Sequence, residues 1–151
     1  MVYQRIVLAY NGSEAGQKAL LVSKNLAAWS QAQLHLVAVM PLHLNTVVAE
    51  GIVYSNQEEE LQKEAYQAIL NQGLAMLAKE GWSATGELVS GDPVTEILAQ
   101  VNDDPEVGIL VLGAGTEKSG PGPLFTAMTR NSGNLPIPIT IVPGDISKER
   151  L

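Results

Sequence analysis

The sequence contains no cysteine, few aromatic residues and fewer basic than acidic side chains. The absence of cysteine among its 151 residues excludes disulfides and thiolate metal sites, and it suits a reducing compartment. Lys and Arg number 9 against 16 Asp and Glu, which gives a formal net charge of -7. Nucleic acids are bound through clustered Lys and Arg, and here the basic residues are scattered. The composition therefore predicts no nucleic-acid partner.

Long apolar runs are also missing, and none approaches the roughly 18 residues that a membrane-spanning helix needs. The first residues, 1–5, lead directly into a short apolar run and lack the pattern of a signal peptide. We therefore predict a cytoplasmic protein without a membrane partner. With 46% hydrophobic and 17% charged residues, the chain is expected to form one globular domain over residues 1–151.

Short apolar runs alternate with segments of helical periodicity along the chain. The runs predict strands at residues 6–10, 34–39, 82–89, 107–112 and 137–142. The intervening segments predict helices at residues 15–29, 58–81, from 93 onwards, and 124–132. This alternation indicates one three-layer α/β/α domain with an open parallel sheet. Pro136 and Pro138 place the last strand at an edge of that sheet.

Local signals mark where the helices begin and which faces they bury. Ser13 and Asp92-Pro93 are typical of helix starts, and Glu58 is expected to open the second helix after a long connection over residues 42–56. The spacing predicts that the first helix buries Ala15, Ala19, Val22, Leu26 and Trp29. It predicts that the second helix buries Leu61, Ala65, Ala68, Ile69 and Met76.

Two strands run directly into loops of small residues. The first strand leads into Asn11-Gly12-Ser13, and the fourth leads into Gly113-Ala114-Gly115. In open parallel sheets, ligands bind beyond the carboxyl ends of strands where the strand order reverses. The two loops are the best placed to form such a crevice. Further along, Gly120-Pro121-Gly122-Pro123 is either a rigid turn or part of a ligand site, and the sequence leaves both open.

The order and spacing of four segments resemble the universal stress protein family over essentially the whole chain. These segments are residues 6–14, 34–39, 91–98 and 111–113. The resemblance implies a five-stranded sheet in the order 3-2-1-4-5. It also implies a homodimer formed through the last strand, between Ile137 and Val142.

Many members of that family bind ATP between strands 1 and 4 through a Gly-x-x-Gly motif, nine further residues, and Gly-Ser or Gly-Thr. Here Gly113 matches the first position, whereas Thr116 and the pair Thr126-Ala127 replace the other glycines. Asn11 stands where nucleotide-binding members usually carry an acid. The resemblance places a candidate nucleotide crevice at Ala9, Tyr10, Asn11, Val39, Leu112, Gly113, Gly115 and Thr126.

No catalytic residue and no metal site follow from the sequence. The leading hypothesis is a non-catalytic stress-response or regulatory protein that acts as a dimer without tight ATP binding. The alternative is an adenine-nucleotide-binding switch that uses the same crevice, with ATP as the cofactor that the resemblance implies. Slow phosphohydrolase activity there ranks last, because neither a base nor a nucleophile is evident.

Overall fold

Five parallel strands form one sheet in the order β3-β2-β1-β4-β5, which confirms the predicted order. The computed structural model describes residues 4–41, 52–118, 120 and 122–151. The strands are β1 (Arg5–Ala9), β2 (Gln33–Met40), β3 (Thr85–Ser90), β4 (Val107–Ala114) and β5 (Ile139–Pro143). The helices are α1 (Glu14–Ser30), α2 (Ile52–Lys79), α3 (Pro93–Asp103) and α4 (Pro123–Arg130).

The helices cover both faces of the sheet, because alternate side chains of each strand point to opposite faces. Ile6 and Leu8 of β1 pack on the side of α1 and α2, with Leu20 and Leu70. Val7 of β1 packs on the opposite side, against a core that α3 and α4 complete. The members of that second core are Val37, Ile97, Val101, Val107, Leu110, Leu112 and Met128. The sheet is thus buried in the middle of three layers.

Both predicted helix caps are confirmed. Ser13 Oγ accepts a hydrogen bond from the backbone N–H of Gly16 at 3.0 Å, which caps α1. Asp92 Oδ2 accepts from the backbone N–H of Thr95 at 3.0 Å, and Pro93 occupies the first turn of α3. These two starts direct α1 and α3 away from the carboxyl edge of the sheet.

The predicted start and buried face of α2 are wrong. The helix begins at Ile52 rather than at Glu58, while residues 42–51 of the predicted connection lie outside the described residues. Leu61 is 66% exposed, and Ala65 and Ala68 are exposed as well. The helix instead buries Leu70, Gly73 and Leu77, while Ile69 packs partly on the core and Met76 is 37% exposed.

On α1, the predicted face holds only in part. Ala15 and Ala19 are buried and Val22 and Leu26 pack partly on the core, but Trp29 is 86% exposed. Ala27 in the same last turn is completely buried, so Trp29 lies on a side of α1 that faces away from the core. The third strand was predicted to begin at Trp82, but β3 begins at Thr85. Trp82 precedes the strand and packs partly on the core.

The strand β5 lies at the edge of the sheet, as predicted, and pairs with β4 alone. It starts at Ile139 rather than at residue 137, because Pro138 has no N–H and contributes only its carbonyl to Leu110 at 3.1 Å. None of the helices in the described ranges combines the length and apolar character needed to span a bilayer.

Candidate functional site

A cleft of about 370 Å³ opens at the carboxyl ends of β1 and β4, where the strand order reverses. Its volume falls within the range of about 300–1,000 Å³ that is usual for small-molecule sites. The predicted crevice residues found in its lining are Ala9, Tyr10, Asn11, Val39, Leu112, Gly113 and Gly115. Thr126 is not in that lining, because its hydroxyl faces back along α4 and donates to the Gly122 carbonyl at 2.9 Å.

Several lining residues were missed by the sequence analysis. Pro41 follows β2 and Pro93 opens α3, so both could have been placed at this edge from the strand order. Tyr66 reaches the cleft from α2. It was missed because the sequence analysis assigned a different face of α2 to the interior. Leu124 and Phe125 come from the first turn of α4. Together these side chains give the cleft a largely apolar wall.

The loop after β1 uses its own polar groups to close the start of α1. Asn11 Oδ1 accepts the backbone N–H of Ser13 at 3.0 Å. Ser13 Oγ accepts the N–H of Gly16, and the Ser13 carbonyl accepts that of Gln17 at 2.8 Å. A helix N-terminus attracts anions through free N–H groups. Here the end N–H groups of Ser13 and Gly16 have internal side-chain partners, and the Gln17 bond is the first regular bond of the helix.

Gly113 has a packing role that is independent of any ligand. A Cβ atom at this position would lie 3.0 Å from the backbone carbon and oxygen of Ala15. The absence of a side chain therefore lets β4 approach the first turn of α1. The one motif glycine that this chain retains is explained by that contact.

The loop after β4 is tied to the turn that follows β5. The N–H of Gly144 donates to the Gly115 carbonyl at 3.1 Å, and the N–H of Glu117 donates to Asp145 Oδ2 at 2.6 Å. Lys18 of α1 donates from Nζ to the Gly144 carbonyl at 2.6 Å. Carboxylate and carbonyl groups of the protein thus occupy these three donors and hold the loop in place, although none of the three donor residues lines the cleft itself.

The glycine- and proline-rich segment reaches α4 through two left-handed residues. Gly120 and Gly122 have φ angles of 75° and 82°, which favour glycine. The N–H of Gly120 donates to the Thr116 carbonyl at 2.9 Å, which makes a turn within the loop. Both glycines line the cleft, so the segment is a turn and a wall of the cleft at once. Ser119 and Pro121 lie outside the described residues.

Charged side chains are missing from the described lining of the cleft, which contains no Lys, Arg, His, Asp or Glu. Burial raises the pKa of the Tyr10 phenol above its ordinary value of 10.0, so Tyr10 is neutral at physiological pH. Lys118 and Arg130 are exposed and do not line the cleft.

Titratable side chains elsewhere do not gather into a second centre. Within residues 4–41, 52–118, 120 and 122–151, no group of three or more His, Asp or Glu is arranged to bind a metal ion. His35 of β2 is partly buried, and its Nδ1 lies 2.7 Å from Thr85 Oγ1. His43 lies outside the described residues.

The sheet order and the cleft at its switch point define an α/β protein of the nucleotide-binding-like, doubly wound class. The model of the universal stress protein family matches residues 2–143. The chain therefore belongs to the universal stress protein family. No curated protein sequence matches it.

Solved structures share the fold at low sequence identity. Universal stress protein UspA from Lactobacillus plantarum has a TM-score of 0.75 and 19% identity, over 94% of this chain and 99% of that one. A universal stress protein in complex with cAMP has a TM-score of 0.62 and 19% identity, over 96% and 100%. One from Archaeoglobus fulgidus in complex with dAMP has a TM-score of 0.56 and 16% identity, over 94% and 99%.

Proposed function

We propose that this chain is a non-catalytic universal stress protein that acts as a dimer through protein contacts and does not hold ATP tightly. The observation that carries the proposal is the internal bonding of the loop after β4. Glu117 and Gly120 donate their N–H groups to Asp145 and Thr116, respectively. A triphosphate would have to replace these partners before the loop could bind it.

The loss of hydrogen bonds between this loop and the phosphates of ATP would be large enough to weaken ATP binding greatly. A hydrogen bond to a charged group contributes about 1.5–3 kcal/mol, which corresponds to roughly 10- to 150-fold in a dissociation constant. Losing two of them would take a micromolar ATP site to about millimolar. The replacement of two motif glycines by Thr116 and Thr126 acts in the same direction.

The polar groups of the cleft also support a non-catalytic role. General acid–base catalysis needs a side chain that exchanges a proton near neutral pH. The described lining offers Asn11, Ser13 and two tyrosines as its polar side chains. The Ser13 hydroxyl oxygen is engaged as the cap of α1, and no described lining residue is placed to act as its base.

The strand β5 supports the proposed dimer. Its outer edge has no partner strand in the sheet, and Ile141 is 38% exposed on it. An apolar edge strand invites pairing with another chain unless something covers it. A second copy placed about a two-fold axis would pair β5 with β5 and cover both edges.

An adenine-nucleotide-binding switch is the second candidate. Two structural relatives are complexes with cAMP and dAMP, and the cleft here lies at the switch point where such a ligand is expected. Both ligands carry a single phosphate, which needs fewer N–H donors than the chain of ATP. As a switch, the protein would therefore bind nucleoside monophosphates rather than ATP.

Mass analysis of the small molecules that denaturation releases from the purified protein tests the proposal. We expect less than stoichiometric ATP and ADP. Calorimetric titration with MgATP then measures the affinity directly, and we expect no saturable heat below millimolar ligand. Stoichiometric ATP or ADP, or a micromolar dissociation constant, would overturn the proposal.

A further inference from the structure

We infer that the cleft between β1 and β4 takes an uncharged fused-ring compound in preference to its phosphate-bearing counterparts. This inference rests on the proposed function, because it names what the same cleft binds when ATP is not held.

The walls of the cleft are apolar and partly aromatic. Val39 and Leu112 line it from the sheet, Tyr66 from α2, and Leu124 and Phe125 from α4. Flat rings gain most from such surroundings, because they bury a large apolar area and stack or pack edge-on against aromatic side chains. A volume of about 370 Å³ suits one fused ring system with a small substituent rather than an extended polyphosphate.

The charges around the cleft oppose an anion. No cationic side chain is present in its described lining, and the whole chain carries a formal charge of -7. Lys18 of α1 does not line the cleft; it donates to the Gly144 carbonyl and lies 3.7 Å from Glu14 Oε1. A phosphate in the cleft would find no cationic side chain in the described lining and would have only the N–H groups at the starts of α1 and α4 to replace its hydration. Each added negative charge is therefore expected to lower the affinity.

The hydrogen-bonding groups that remain are suited to a neutral partner. Asn11 Oδ1 is engaged with the N–H of Ser13, which fixes the side-chain amide and leaves its NH₂ group as the donor for a ligand. An amide NH₂ donates well to a ring nitrogen or a carbonyl oxygen. Bonds of this neutral kind supply orientation, while the apolar walls supply most of the affinity.

A charge series measured by calorimetry on the whole chain tests the inference. Adenosine, AMP and ATP share one ring system and differ in charge. We expect saturable binding of adenosine, binding of AMP at least about 10-fold weaker, and no saturable binding of ATP up to millimolar concentration. Binding of AMP as tight as that of adenosine, or no adenosine binding at millimolar concentration, would overturn the inference.

Two substitutions locate the binding in the cleft. Phe125→Ala removes an aromatic wall and is expected to weaken adenosine binding about 10-fold. Trp29→Ala is the matched control, because Trp29 is an exposed aromatic residue that does not line the cleft. Equal weakening by both variants, or by neither, would contradict the assignment.

A gain of function provides a readout that does not depend on loss of stability. Leu124→Lys puts a cation in the wall and should reverse the preference, so that AMP binds more tightly than adenosine. Leu61→Lys adds the same charge on α2 outside the cleft and should leave the order unchanged. An unchanged order in both variants would argue against charge as the cause. Tight ATP binding by the unaltered chain would instead defeat the proposed function itself.

Discussion

The backbone N–H of Glu117 donates to Asp145 Oδ2 at 2.6 Å, so a carboxylate from the turn after β5 closes the loop after β4. A carboxylate oxygen carries negative charge and accepts hydrogen bonds much as a phosphate oxygen does. The protein thus supplies its own anionic acceptor to this loop. Gly144 adds a second bond to the same loop through the Gly115 carbonyl.

Asp145→Ala should loosen this loop. Loss of a hydrogen bond to a charged acceptor corresponds to about 10-fold or more in the local opening equilibrium. Amide hydrogen exchange of Glu117 is therefore expected to speed up about 10-fold. Glu149→Ala, which removes an exposed acid further along the chain, should leave that rate unchanged. Equal rates at Glu117 in both variants would show that Asp145 does not protect the amide.

Gly113→Ala should destabilise the fold even though no ligand is present. The new Cβ would lie 3.0 Å from the Ala15 backbone, so β4 and α1 must move apart. Overpacking of this kind costs about 1–3 kcal/mol in the free energy of unfolding, measurable by urea denaturation.

Gly133→Ala is the matched control for that measurement. A Cβ there meets nothing within 4 Å, so we expect a change within about 0.5 kcal/mol. If Gly113→Ala also changed the free energy of unfolding by no more than about 0.5 kcal/mol, the close approach of β4 to α1 would not be the reason for glycine at this position.

Asp92 should make stability depend on pH in the acid range. The backbone N–H of Thr95, and then its hydroxyl, lower the pKa of this carboxyl below 3.8 in the folded state. A lowered folded pKa contributes stability that is present above the unfolded value and lost as pH falls through the folded value. The difference in unfolding free energy between the parent chain and Asp92→Asn should therefore shrink below about pH 4.

Thr95→Ala separates the two causes, because it removes the hydroxyl and retains the backbone N–H. Its unfolding curve should show a weaker acid dependence than that of the parent chain but a stronger one than that of Asp92→Asn. Parallel curves for all three proteins between pH 2 and 6 would exclude Asp92 as the source.

Ile141→Lys should convert the proposed dimer into monomers. A lysine on the outer strand places a desolvated charge in the pairing edge. Sedimentation equilibrium at micromolar concentration provides the mass. Leu61→Lys adds the same charge at a residue of α2 that is 66% exposed, and it should leave the mass unchanged. A monomeric parent chain, or a dimer that survives Ile141→Lys, would refute pairing through β5.

The sheet and most of the cleft could be predicted from the sequence because local signals agree there. Buried parallel strands are apolar throughout, and Ser13 and Asp92 mark helix starts by the hydrogen bonds that they make. Strand order then brings the ends of β1 and β4 together. The position of these loops follows from topology rather than from any single residue.

The face of α2 could not be predicted, because this helix carries two apolar stripes. One contains Leu61 and Met76, and the other contains Leu70 and Leu77. Periodicity finds both stripes and cannot choose between them, whereas packing on β2 and β3 selects the second. Tyr66 was missed for the same reason. Trp29 was assigned to the core because helical spacing alone does not show that α1 buries the side that carries Ala19, Ser23 and Ala27.

The turn at Gly144-Asp145 joins the proposed dimer edge to the wall of the cleft. It follows β5 directly, and it is bonded both to the loop after β4 and to Lys18 of α1. In the proposed dimer, displacement of this turn from the loop would alter the support of the pairing strand, and pairing through that strand would alter the support of the loop. Such coupling is reciprocal, so cleft occupancy and self-association should shift each other's equilibrium by the same factor.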